Sequence, residues 1–149
     1  METRKLGVED KKIILELEKL CFPNDRWNQE DWDDLLSDER ATYYGLMDQD
    51  KLVGNVFTYN WKGEMDYIKI MNLSVHPDYR GNGYAHNLMA LVKEELESSQ
   101  LKRICAETRS SNKAMQKVFE DCYYKLSKVE ENCYENPQED GFKYVLEVE

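Results

Sequence analysis

The sequence predicts one α/β domain over residues 1–149, a mixed sheet flanked by helices, and three observations predict it. The first is size: 149 residues, 41% hydrophobic and 34% charged, suit a single core that buries roughly 70% of the unfolded surface. The second is order: two helical periodicities come first and three strand-like runs follow. The third is the alternation of strand and helix after a glycine-rich turn, Arg80-Gly81-Asn82-Gly83-Tyr84-Ala85.

Near the start, Ile13, Ile14, Leu17, Leu20 and Cys21 fall on one helical face, and Pro23-Asn24-Asp25 is expected to end that helix. Residues 28–38 form a second short helix with Trp32, Leu35 and Leu36 inward. Strand-like runs follow over 42–47 and 51–59, joined by a hairpin turn at Asp48-Gln49-Asp50. A turn at Trp61-Lys62-Gly63 leads to a longer strand over 66–75. That strand changes phase: Ile68 and Ile70 share one parity, Leu73 and Val75 the other. One extra residue near Met71-Asn72, a β-bulge, reconciles them, and it would leave backbone groups unpaired.

After the glycine turn, Ala85, Leu88, Met89, Val92 and Leu96 recur at helical spacing. Residues 101–108 read as a strand. Ser110-Ser111-Asn112 then caps a helix whose inner face is Met115, Val118, Phe119 and Cys122. Two strands close the chain, over 124–129 and 143–148, with an acidic connection over 130–140 between them.

Composition narrows the function. Thirty acidic against 20 basic side chains give a net charge of −10, a field that repels nucleic acid and anionic membranes and favours a cationic partner. No apolar run approaches the ~18 residues of a membrane span. The mixed-charge start is not the apolar core of a signal peptide. Cys21, Cys105, Cys122 and Cys133 are scattered, and with only His76 and His86 they make a poor metal site. A reduced, cytoplasmic protein is expected.

The glycine segment follows a strand and opens a helix, where free backbone N–H groups and the helix dipole meet an anion. Gly81 and Gly83 remove side chains that would block close approach, and Ala85 keeps the first helical turn small. No Gly-Lys-Ser/Thr makes it a P-loop, and it fits a dinucleotide fingerprint poorly.

Arg80-x-x-Gly83-x-Ala85 resembles the Arg/Gln-x-x-Gly-x-Gly/Ala signature of the GNAT acetyltransferase superfamily. Asn72-Leu73-Ser74-Val75-His76-Pro77-Asp78-Tyr79 is similar to the strand and turn before that signature. Glu107-Thr108-Arg109-Ser110-Ser111-Asn112 is similar to the Glu-Val-Arg-x-x-Asn segment of the ribosomal-protein N-terminal alanine acetyltransferases. The resemblance covers the second half of the chain. It implies the GNAT fold, a mostly antiparallel mixed sheet splayed around a bulged strand, with acetyl-CoA as cosubstrate and no metal.

The resemblance also implies roles. The pyrophosphate would sit on Arg80 and the backbone N–H groups of Gly81, Asn82, Gly83, Tyr84, Ala85 and His86. The pantetheine arm would pair like an extra strand with Leu73, Ser74 and Val75, and Asn112 would bond it from the other side. Taken without the family, Asn112 is equally an N-cap. Glu107 would be the general base, directly or through water, and the Val75 N–H would polarise the carbonyl; on its own Glu107 reads as an exposed strand glutamate.

The departure is Phe119, which stands where the related enzymes carry the tyrosine that protonates the leaving thiolate, and phenylalanine cannot donate a proton. A thiol of pKa near 8.5 leaving as thiolate at pH 7 is roughly 2 kcal/mol uphill. Tyr123, Tyr124 or Tyr134 is the replacement, with Tyr124, at the opening of the next strand, the first choice.

The acceptor has to come from charge. Asp25, Glu30, Asp31, Asp33 and Asp34 crowd one segment, and Glu131, Glu135, Glu139 and Asp140 another. Two acidic rims would gather a cationic amine: a protein N-terminus, polyamine, aminoglycoside or basic peptide. Solvated surface is an equal reading of each. Phe119 also admits a catalytically weak acyl-CoA sensor or interaction module, and a homodimer stays open.

Overall fold

The structure, a computed structural model, describes residues 1–23 and 27–148. Among these a seven-stranded sheet runs in chain order from the first strand to the fifth, then the seventh and last the sixth, and the chain forms two compact units.

The first unit comprises Met1–Tyr59 and Met71–Val92. It opens on a strand that sequence reading missed, β1 (Glu2–Leu6), then α1 (Lys11–Cys21), α2 (Gln29–Leu36) and the hairpin of β2 (Ala41–Asp48) and β3 (Lys51–Asn60). β1 pairs antiparallel with β2 through Arg4↔Gly45, and β2 with β3 through Tyr44↔Val56. The turn between β2 and β3 holds Gln49 at φ 56.

Helix α1 is rotated from expectation: Leu20 is 54% exposed, whereas Glu18 is buried at 4% with Ile14 and Leu17. Ile14, Leu17, Glu18 and Cys21 form the i, i+3, i+4, i+7 stripe, and the carboxylate fits inside because Asn72 donates to it at 3.1 Å. The predicted end of this helix at Pro23-Asn24-Asp25 falls partly outside the described residues. Asn28 caps α2 by accepting from Asp31 N at 2.8 Å. Trp32 is fully buried and stacks on Phe57 with centroids 5.5 Å apart, among Ile14, Leu17, Tyr43, Met47 and Leu52.

The second unit comprises Asn60–Ile70 and Lys93–Glu149. Strand β4 (Ile68–Val75) and helix α3 (Tyr84–Ser99) each contribute to both units. β4 pairs in parallel with β5 (Arg103–Arg109) through Ile68↔Ile104 and Lys69↔Cys105. Its burial alternates at Ile68 and Ile70, then lapses: Met71 and Asn72 are both half-buried, Leu73 and Ser74 both buried. The alternation is lost where the phase break was expected, and the two units divide between Ile70 and Met71.

After α4 (Lys113–Asp121), β6 (Lys125–Tyr134) and β7 (Glu139–Glu147) form an antiparallel hairpin, with β7 also paired to β5. The stretch 130–140 is therefore mostly strand, not the acidic connection expected. α4 buries Phe119, one of the four inner-face residues expected, together with Gln116, which was not among them and donates to Arg109 O and Ser110 O at 3.2 and 2.9 Å. Phe119 packs on Tyr124 and Tyr144 at 5.8 and 5.2 Å between centroids. No helix among the described residues is long and apolar enough to cross a membrane.

Helix α4 ends with Tyr123 at φ 70 and Tyr124 N donating back to Phe119 O at 2.9 Å. The position after a helix cap favours glycine, because a Cβ crowds the left-handed backbone. Tyr123 is 83% exposed, so its ring has little packing to lose. Tyr123→Gly is expected to stabilise the protein by roughly 0.5–1 kcal/mol, the relief of strain exceeding the added chain entropy. A higher urea midpoint at unchanged slope would show it.

Candidate active site

In the first unit the candidate residues form one strand–turn–helix. His76 N donates to Val53 O at 2.7 Å. Backbone groups of successive strand residues point to opposite edges, so the N–H and C=O of Leu73 and the N–H of Val75 are directed to the edge of β4 away from β3. Val75 O accepts from Arg80 Nε at 2.9 Å and from Cys21 Sγ at 3.6 Å. The thiol of Cys21 is pushed up by burial, partly offset by Ser74 and Arg80.

The turn that follows is braced. Asp78 N donates to His76 Nδ1 at 3.1 Å, and Tyr79 OH to Asp48 Oδ2 at 2.7 Å. Gly81 and Gly83 have φ of 82 and 79, which glycine alone adopts without strain. A Cβ built on either would meet nothing within 4 Å, so the loop leaves open space beside its backbone. Asn82 turns back, its Nδ2 donating to Tyr79 O at 3.1 Å.

Asn87 N donates to Gly83 O at 3.2 Å. The N–H groups of Tyr84, Ala85 and His86 therefore precede the first intrahelical bond of a 16-residue helix, at the positive end of its dipole. A helix N-terminus of this kind, reached through Arg80 and the two glycines, fits a diphosphate. The backbone edge at Leu73–Val75 fits an amide-bearing chain.

The second unit carries the rest. Glu107 is exposed and stands opposite Lys143 in the β5–β7 register. Lys143 Nζ lies 3.8 Å from Glu107 Oε2 and 2.8 Å from Glu130 Oε2. Its hydrogen bond to Glu130, reinforced by Glu107, holds the Lys143 ammonium above the ordinary lysine range. Asn112 is the N-cap of α4, its Oδ1 accepting from Met115 N at 3.1 Å. Tyr124 is 4% exposed and sits in the core against Phe119; burial pushes its phenol far above the ordinary tyrosine range. Tyr123 is a surface residue, and Tyr134 lies under the Arg109 guanidinium at 4.7 Å.

Sequence reading missed an Arg109 clamp. The guanidinium donates to Glu139 Oε1 at 3.0 Å and to the carbonyls of Glu135 and Pro137, each at 2.7 Å. Hydrogen bonds from Ser111, then Arg109 and Ser110, hold the Glu139 carboxyl below the usual range. That contribution is present above the unfolded-state pKa and fades as pH falls through the folded one.

Both acidic rims are thinner than expected. Glu139 is committed to this clamp, Asp140 accepts from Asn132 N at 2.9 Å, and Asp33 is paired with Lys11 at 2.8 Å. Asp25 lies outside the described residues. Glu30, Asp31, Asp34, Glu131 and Glu135 are exposed. Among the described residues no group of three or more His, Cys, Asp or Glu is arranged to hold a metal ion.

The chain is 26% identical over 109 residues to the [ribosomal protein bS18]-alanine N-acetyltransferase of Haemophilus ducreyi, covering 72% of each protein. Its fold is similar to the ribosomal-protein-S18-alanine N-acetyltransferase from Escherichia coli, with a TM-score of 0.87 at 21% identity over 99% of this chain and 93% of that one. It is also similar to Arabidopsis thaliana NAA60 in complex with acetyl-CoA, with a TM-score of 0.88 at 15% identity over 99% and 98%. The model of the acetyltransferase (GNAT) family matches residues 12–123, well over half of the sequence and inclusive of the glycine loop, Glu107 and Asn112, and the chain belongs to that family.

Proposed function

We propose that the chain is an acetyl-CoA-dependent N-acetyltransferase that moves the acetyl group to a primary amine by direct transfer, without a covalent enzyme intermediate. The observation that carries this is the continuous run from the Leu73–Val75 end of β4 through the left-handed Gly81 and Gly83 to the first turn of α3 at Tyr84, Ala85 and His86. In a protein of net charge −10, an anionic cosubstrate has to be held by local backbone donors and Arg80, because the overall field repels it.

Leu73, Ser74 and Val75 would pair with the pantetheine arm, and Asn112, its Oδ1 engaged in the cap, would donate from Nδ2. The Val75 N–H would polarise the thioester carbonyl. Glu107 would take the proton from the attacking amine. Tyr124 is the proposed proton donor to the departing thiolate: a phenol carries its proton at neutral pH, although the burial that raises its pKa makes it a weaker acid.

A protein N-terminus is the proposed acceptor, in keeping with the name of the Haemophilus ducreyi relative. The exposed Glu30, Asp31 and Asp34 support a cationic acceptor, and a small polyamine meets that condition as well. The four cysteines are free thiols, which suits a reducing, cytoplasmic setting.

Phe119 favours a second reading, an acyl-CoA sensor or interaction module with little turnover. Thiol release from acetyl-CoA, followed across a panel of peptides, polyamines and aminoglycosides, separates the two. The transferase reading expects release with at least one amine well above the no-amine rate. Tight CoA binding with no release over the whole panel would favour the sensor.

A further inference from the structure

Behind β4 lies a chain of buried polar groups that the proposed chemistry does not use. Ser74 Oγ donates to Asn55 Oδ1 at 2.5 Å, Asn55 Nδ2 to Asn72 Oδ1 at 3.0 Å, and Asn72 Nδ2 to Glu18 Oε2 at 3.1 Å. Glu18, Asn55 and Ser74 are 4%, 1% and 5% exposed. The Tyr43 phenol and the Cys21 thiol, both raised chiefly by burial, also feel the Glu18 charge.

A buried carboxylate is costly unless its lone pairs are met, and a hydrophobic side chain of similar size would commonly serve stability as well. Its presence here therefore points to specificity of conformation. An ionised carboxylate only accepts, so Glu18 fixes which way every amide in the chain points. Asn72 must present Nδ2 to it, Asn55 must present Nδ2 to Asn72, and Ser74 must donate to Asn55.

The geometry is a pincer. Asn55 on β3 grips the side chains at 72 and 74 of β4, on the two sides of Leu73. That immobilises the segment whose N–H and C=O groups are directed away from β3, next to the place where the burial alternation lapses. A loosened β4 could rotate these groups out of line; the glycine loop, braced separately through Tyr79 and Asp48, would stay in place.

We propose that Glu18 is a positioning residue for acyl-CoA, its carboxylate holding Leu73–Val75 in register for the pantetheine arm through Asn72, Asn55 and Ser74. This rests on the reading that this edge of β4 binds the cosubstrate.

The test is titration of the full-length protein with two probes. One is acetyl-CoA, which reaches β4. The other is adenosine 3′,5′-bisphosphate, which carries the nucleotide end alone. Glu18→Gln keeps the shape but can donate as well as accept. It is expected to weaken acetyl-CoA binding on the order of tenfold, the scale of one charged hydrogen bond, and to leave the bisphosphate within about twofold.

The double variant E18Q/N72D moves the carboxylate to the other side of the same hydrogen bond and is expected to restore acetyl-CoA binding. Unchanged acetyl-CoA affinity in E18Q, or equal weakening of both probes, would overturn the proposal by leaving Glu18 no role or a general structural one. Where E18Q fails to fold, Ser74→Ala removes the far end of the chain without touching the charge, and wild-type acetyl-CoA affinity there would equally overturn it. Wild-type protein that binds neither probe would overturn the cosubstrate reading itself, and this inference with it.

Discussion

Glu107→Gln is expected to lower kcat/KM for acetyl transfer by about 10²–10³ while leaving the fold intact. An α-amine of pKa near 8 is neutral in roughly a tenth of molecules at pH 7, and an amine near 10.4 in about one in 2,500. The attacking group arrives mostly as an ammonium, so its proton has to go somewhere. Glutamine preserves size and hydrogen bonding and cannot take it. The loss should be larger for a lysine-like acceptor than for a peptide N-terminus. Stability should barely move, because Glu107 is exposed and its approach to Lys143, 3.8 Å, is a surface ion pair worth little. Lys143 cannot stand in as base in the variant, since its hydrogen bond to Glu130 still favours the charged form. Initial rates of both proteins over a pH series decide the matter. A wild-type, pH-independent rate in the variant would remove Glu107 from the base role.

Trp32→Ala is expected to cost about 3–5 kcal/mol of stability, the range for a large aromatic deleted from a packed core. Trp32 is 0% exposed and touches three rings, with centroids at 4.8 Å to Trp27, 5.5 Å to Phe57 and 6.0 Å to Tyr43. Those contacts tie α2 to the β2–β3 hairpin. Against a total stability of about 5–15 kcal/mol, the loss removes a large share. Denaturant unfolding should show a lower midpoint at similar slope. A shift under about 1 kcal/mol would mean that the aromatic cluster contributes far less than its burial implies.

The same physics separates what the sequence made legible from what it hid. The glycine loop was readable because its backbone demands φ values that other residues resist, so glycine has to be there. Helix α3 was readable because Leu88, Met89, Val92 and Leu96 bury one stripe. β1 was hidden because Glu2, Thr3, Arg4 and Lys5 are all exposed; an edge strand buries too little to impose a pattern. β6 was half hidden for a related reason, being exposed along nearly its whole length, so its acidic end looked like a loop.

Polar residues that turn inward were the other blind spot. Glu18, Gln116 and Glu139 each look like wet-side residues in sequence, and each is held by hydrogen bonds outside its own element: to Asn72, to the carbonyls of Arg109 and Ser110, and to the Arg109 guanidinium. Periodicity cannot show such pairs, because it counts hydrophobic positions alone. Asn112 sits between the two cases. Its capping geometry followed from Ser110-Ser111-Asn112, whereas a bond from its Nδ2 to pantetheine rests on the family resemblance.

Direct transfer is tested most sharply by following the label in a single turnover. Enzyme in excess over [¹⁴C]acetyl-CoA is mixed with an active amine from the panel, quenched in acid and separated into protein, amine and CoA fractions. Direct transfer predicts that label leaves CoA and appears on the amine at the same rate, with none on protein at any time. Stoichiometric acetyl-cysteine at Cys21, Cys105, Cys122 or Cys133 before the amine is labelled would contradict it.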